Sequence, residues 1–246
     1  MDNFRPALTY TKEDKNYLKY RYCDCFGGKC KCSETEREIS GRKVLEGIPS
    51  RGQELKEWCA WVSAQMVLEY YGYQITPEEI GRKTYRIAGS EWEGAQSGLE
   101  GRHYSAYEQA IRELGQDTLE LEWYTYGSTD ESADDEALRV ILDAIENSAP
   151  VLIMADHDWT GLDPWDNPKI GHVSVLVGYS LNSREGLVKE APFVGVSPPS
   201  IRFHDPANFV TSGGVGLGTY WINYFDVFSR TTRDGGWLEL IVVRRR

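Results

Sequence analysis

Gln53-Glu-Leu-Lys-Glu-Trp-Cys59-Ala-Trp-Val-Ser-Ala-Gln-Met-Val-Leu-Glu-Tyr-Tyr-Gly72 is the stretch whose reading decides the fold. Val62, Met66, Val67, Tyr70 and Tyr71 fall at helical spacing and Gly72 supplies a stop, which predicts an amphipathic helix from Cys59 to Tyr71. The cysteine sits on the first turn. Unsatisfied backbone N–H groups and the helix dipole favour negative charge there, and so favour the reactive thiolate over the thiol. A nucleophilic cysteine also needs a base, and the base needs a third group that fixes its tautomer and orientation.

Moving down the chain, His172 opens the strand-like run His-Val-Ser-Val-Leu-Val-Gly-Tyr179 and is the expected base. Asp205, in His204-Asp205-Pro206, follows another strand and is the expected orienting acid. Taken singly, each has a bland alternative: a lone cysteine on an apolar helix packs a core, and Asp before Pro forms turns. The ordered series outweighs those readings. His204 is the rival base, but alternation sends His204 and Asp205 to opposite sheet faces if both lie in the strand. His103 and His157 read as polar surface residues in loops.

The remaining pattern predicts helices first and strands second. Thr76-Pro77-Glu78-Glu79 is a capping box opening a short helix, and Ser105-x-x-Glu108 opens another that stops at Gly115. Ser132 begins an amphipathic helix through about Asn147, and strands follow at Pro150–Met154, His172–Tyr179, Ile201–His204 and Trp237–Val243. This order predicts an α+β domain with a helical layer against an antiparallel sheet. The loops Asp156–Ile170 and Thr211–Gly218 are expected at the rim of a site.

Residues 1–50 read as a polar, irregular N-terminal extension, and 51–246 as the catalytic domain. The extension holds Cys23-x-Cys25-x4-Cys30-x-Cys32, four of the five cysteines. Zinc thiolates, free thiols and disulfides are all compatible with that spacing, so no metal is assigned. Gly27-Gly28 between the pairs reads as a turn, or as a site where Cys59 removes the segment as a pro-region.

A net charge of −11 excludes general nucleic-acid binding and attachment to an anionic membrane. Arg244-Arg245-Arg246 reads as a solvated end. No apolar run approaches the roughly 18 residues of a membrane span, and Met1–Tyr20 lacks a signal-peptide core. The expectation is a cytoplasmic protein, with signal-independent export left open. Oligomeric state is not legible.

The Gln53–Gly72 segment resembles the nucleophile helix of bacterial papain-like peptidases. The resemblance is to the double-glycine-peptidase-like group and to papain-like effector proteases of plant-pathogenic bacteria. It continues in order through Pro150-Val-Leu-Ile, Gly171–Tyr179, His204-Asp205-Pro206 and Trp221–Val243, the last resembling a closing helix and strand. It implies a papain-like fold and a thiol peptidase working through an acyl-enzyme on a peptide or protein substrate, without a cofactor. Cys59 would be the nucleophile, His172 the base and Asp205 its orienter. Gln53 would be the oxyanion donor beside the Cys59 backbone N–H. One departure concerns the cleft wall: Ala60 stands where many relatives carry Trp or Gly, with Trp61 displaced by one. Two further readings use the same residues: acyl transfer to an amine or thiol, and a catalytically silent peptide-binding domain.

Overall fold

The computed structural model describes residues 17–26, 29–38, 41–127, 133–155, 171–181, 193–194, 199–209, 218–224, 227–228 and 236–246. His157, the loop 156–170, residues 211–217, Gly27-Gly28 and Ser132 lie outside the described residues.

Helix α1 (Cys59–Tyr70) starts where the sequence places it, but it is not a surface helix. Ala60, Trp61, Val62, Ser63, Ala64, Met66, Val67 and Leu68 are all buried, because it packs against the sheet as well as other helices. A helix apolar around most of its circumference belongs in a core. Helix α2 (Pro77–Ala88) begins with the expected capping box. Thr76 accepts from the Glu79 N–H at 3.2 Å while Glu79 accepts from the Thr76 N–H at 2.8 Å. It ends at Gly89, whose φ of 67° is the left-handed conformation that glycine adopts without strain. Helix α3 (Tyr104–Leu114) enters from a 3-10 turn at Gly101–His103, so Ser105 lies inside the helix and caps nothing. Helix α4 (Ala133–Glu146) carries its acids, Asp134, Asp135 and Glu136, in the first turn, where the dipole favours them.

The described strands form a hairpin and an eight-stranded sheet. The hairpin pairs β1 (Tyr17–Phe26) with β2 (Lys29–Glu38), bringing Cys23 opposite Cys32 and Cys25 opposite Cys30. Strands therefore occupy part of the stretch whose charge made it look irregular. In the sheet, β3 is Arg42–Val44, β4 Leu119–Gly127, β5 Val151–Ala155, β6 His172–Ser180 and β7 Phe193–Val194. The last three are β8 (Ser200–His204), β9 (Thr219–Asn223) and β10 (Trp237–Arg245). The order is β4-β10-β5-β6-β8-β9-β7, and β3 pairs with β6 beyond the end of β5. All ladders are antiparallel except the short β7–β9 pair. Every residue of β5 is buried, so both faces of the central sheet are covered.

Three expectations are corrected and one strand is added. Residues 42–50, assigned to the extension by composition, belong with the sheet: Arg42–Val44 pairs with β6, and Leu45 and Ile48 are buried in the core. Strand β4, which the sequence reading leaves unassigned, opens on an alternation of apolar and acidic residues, Leu-Glu-Leu-Glu. Trp221, read with a closing helix, is in β9 and fully buried. The terminal arginines are not simply solvated: Arg244 bonds Asp143 at 3.3 Å, and Arg245 bonds the Tyr71 carbonyl at 2.7 Å. Among the described residues, no helix is long and apolar enough to cross a membrane.

Candidate active site

The start of α1 faces the start of β6. Cys59 is the first residue of α1, half-buried, and follows a 3-10 turn at Lys56–Trp58. Trp58, in the N-cap position, makes no side-chain cap, and the first turn holds no acid. The helix N-terminus is thus left to a thiolate or a substrate oxygen. One turn on, buried Ser63 donates to the Val173 carbonyl at 3.0 Å. That bond fixes the height of α1 on β6 next to His172.

His172 Nε2 lies 2.8 Å from Asp205 Oδ1 and 3.2 Å from Ser174 Oγ. Nδ1 is then the ring nitrogen left for the thiol, and Cys59 and His172 line the same cleft. Burial works to lower the His172 pKa, but the Asp205 carboxylate, its hydrogen bond and the Cys59 sulfur raise it well above 6.5. The net direction favours the imidazolium over the neutral ring.

Asp205 follows β8 and is held from several sides. Its N–H donates to the Gly218 carbonyl at 2.7 Å. Oδ1 also accepts from the Ala207 N–H at 2.9 Å, and Oδ2 accepts from the Tyr220 hydroxyl at 2.9 Å. Burial pushes the carboxyl pKa up; the His172 charge and these donors outweigh it and hold it below the usual 3.8.

Gln53 is buried, with 2 % of its surface exposed. Its backbone N–H donates to the Pro206 carbonyl at 2.9 Å, next in sequence to Asp205. Its side chain donates from Nε2 to the Leu55 carbonyl at 3.0 Å, which uses one of the two amide hydrogens. Asp205 is thus bonded to His172, Cys59 and His172 line one cleft, and Gln53 is tied through its backbone beside Asp205.

The other histidines part company with this group. His204 Nδ1 is 3.2 Å from the Pro49 carbonyl, an acceptor only, so that nitrogen is the donor. Burial, aided by Arg202 and opposed by that bond, lowers its pKa to about 4. That value keeps it neutral at neutral pH, and its ring is bonded to Pro49. His103 was expected on the surface and is instead fully buried, bonded to Ser90 Oγ at 3.2 Å and tilted against the Tyr85 ring. Trp61 is not a cleft wall: it is buried, and its indole N–H donates to the Ser97 carbonyl at 2.8 Å. Tyr107 secures the same helix by donating to the Ala60 carbonyl at 2.9 Å.

Three residues of this arrangement were missed in the sequence. Ser174 could have been found, since it lies two residues after His172 and shares its face of the strand. Ser63 and Tyr220 carry no local signal, because their partners are 110 and 15 residues away. Among the described residues, no cluster of three or more His, Cys, Asp or Glu could hold a metal ion.

A cysteine opening a buried helix, packed on an antiparallel sheet whose neighbouring strand presents a histidine, defines a papain-like cysteine peptidase. The family model described as the Peptidase_C39 like family matches residues 45–215. The chain belongs to that family and is a cysteine peptidase. Among solved structures it is similar to a double glycine motif protease from an AMS/PCAT transporter, determined in complex with the leader peptide. That match has 16 % identity and a TM-score of 0.42, and covers 83 % of this chain and 99 % of the other. No curated protein matches the chain.

Proposed function

We propose that the chain hydrolyses a peptide or protein amide bond with Cys59 as nucleophile, His172 as acid and base, Asp205 as its orienter and Gln53 as oxyanion donor. The observation that carries this reading is the His172 ring, bonded to Asp205 through Nε2 and sharing one cleft with Cys59. The Cys59 thiolate attacks the carbonyl carbon, and the C=O electrons move onto oxygen. The Cys59 backbone N–H and the Gln53 side-chain amide stabilise that oxygen. As the C–N bond breaks, the His172 imidazolium gives its proton to the departing amine, leaving a thioester. Water then loses a proton to His172 and attacks the thioester. The acid leaves, and the thiolate–imidazolium pair is restored.

The test is cleavage of a proteome-derived peptide library by the full chain. Cys59→Ala is expected to abolish cleavage, and His172→Ala to reduce it by roughly 10²–10⁴-fold. Gln53→Ala is expected to lower kcat by roughly 10²–10³-fold with little change in KM. Cleavage undiminished in Cys59→Ala would refute the assignment. Adding primary amines separates hydrolysis from acyl transfer: new amide products at the expense of acid would favour transfer.

A further inference from the structure

The cleft holding Cys59 and His172 encloses about 170 Å³. Its described walls carry two carboxylates, Glu57 and Glu100, and no lysine or arginine. Glu100 is committed to Arg102 Nε at 2.8 Å, both side chains well exposed. Glu57 differs. It stands two residues before the nucleophile, is half-buried, and makes no hydrogen bond or ion pair among the described residues. Its carboxylate rests against the Gly98 segment, where a Cβ would lie 3.5 Å from Oε2.

Apart from Gln96 and the pair Cys59 and His172, the rest of the described wall is apolar and aromatic. Leu99 and Met154 line it with Tyr104 and Trp237, whose rings meet edge to face at 6.2 Å. Apolar walls ending at one uncommitted carboxylate suit a side chain with an aliphatic stem and a cationic tip. The aromatic faces add attraction for a cation. A half-buried carboxylate forgoes part of its hydration until a cation arrives, and it repels an acidic side chain. The net charge of −11 biases encounter the same way.

We propose that Glu57 is a specificity-determining residue that selects peptides carrying lysine or arginine next to the scissile bond. This rests on Cys59 and His172 being the catalytic pair. The experiment is the cleavage-site profile of a proteome-derived peptide library for the wild type, Glu57→Gln and Glu57→Lys, with Cys59→Ala as control. The wild type is expected to enrich lysine and arginine at one position flanking the cut by about tenfold over norleucine-like methionine and leucine. Glu57→Gln loses that enrichment, and Glu57→Lys replaces it with aspartate and glutamate at the same position. A wild-type profile without basic enrichment, or one unchanged in both Glu57 variants while Cys59→Ala is dead, overturns the inference alone. Cleavage that persists in Cys59→Ala overturns the catalytic reading and this inference with it.

Discussion

At the residue scale, the account rests on charges held in place by identifiable donors. With the His172 pKa raised against burial, chiefly by Asp205, activity is expected to fall as pH rises through that elevated value. Asp205→Asn removes the main raising influence, so the alkaline limb of kcat/KM is expected to move to lower pH. His204 is already neutral at pH values above its pKa of about 4, and His204→Gln should leave that limb where it is. Asp205 itself links to stability with the opposite sign. Its depressed pKa contributes stability present above 3.8 and lost as pH falls through the folded value.

Tyr220 is the residue-scale surprise. Its hydroxyl is the donor on Asp205 Oδ2, leaving Oδ1 to His172 and Ala207. Tyr220→Phe is expected to cost about 1–3 kcal/mol of stability and to lower kcat more than it alters KM. In an Asp205→Asn background the kcat effect should shrink, because Tyr220 acts through the carboxylate. Equal losses in both backgrounds would make it a packing residue only. Cys59, His172 and Asp205 each sit at the boundary of an element that the sequence marks: Cys59 opens α1, His172 opens β6 and Asp205 follows β8. Tyr220 carries no such mark, since nothing in Thr-Tyr-Trp-Ile-Asn states which buried group its hydroxyl meets.

At the element scale, what matters is the height of α1 on β6. Ser63→Ala removes the buried bond to Val173 and leaves a carbonyl short of its partner. Differential scanning should register a loss of about 1–2 kcal/mol, with slower alkylation of Cys59 as the helix start loses its register. Gly178 marks a second contact that fixes an element. A Cβ there would lie 2.8 Å from the Lys43 carbonyl and 3.0 Å from Val44 Cγ2. Gly178→Ala should therefore push β3 off β6 at a cost of about 1–3 kcal/mol. The helices were readable from periodicity and caps, as α2 illustrates with both capping-box bonds in place. Strands β4 and β9 were not, because charged or aromatic residues masked an alternation that only a paired neighbour makes decisive.

At the scale of the whole molecule, composition sets the expected domain boundary at residue 50, while core residues lie before it. Leu45 and Ile48 are buried and β3 closes the end of β6, a fact invisible to charge content. Deleting residues 1–40 is expected to leave the thermal midpoint unchanged. Deleting 1–50 removes β3 and both core side chains, and should cost roughly 3–6 kcal/mol. Equal midpoints for the two truncations would show that β3 adds nothing.

The central claim is that His172 activates Cys59, and it does not need a known substrate to be tested. The direct measurement is the rate of iodoacetamide alkylation, resolved by cysteine, at pH 7 in the wild type and His172→Ala. The expected result is rapid labelling of Cys59 ahead of Cys23, Cys25, Cys30 and Cys32, slowed by about tenfold or more without the imidazole. Uniform labelling of all five cysteines, unaffected by His172→Ala, would contradict it.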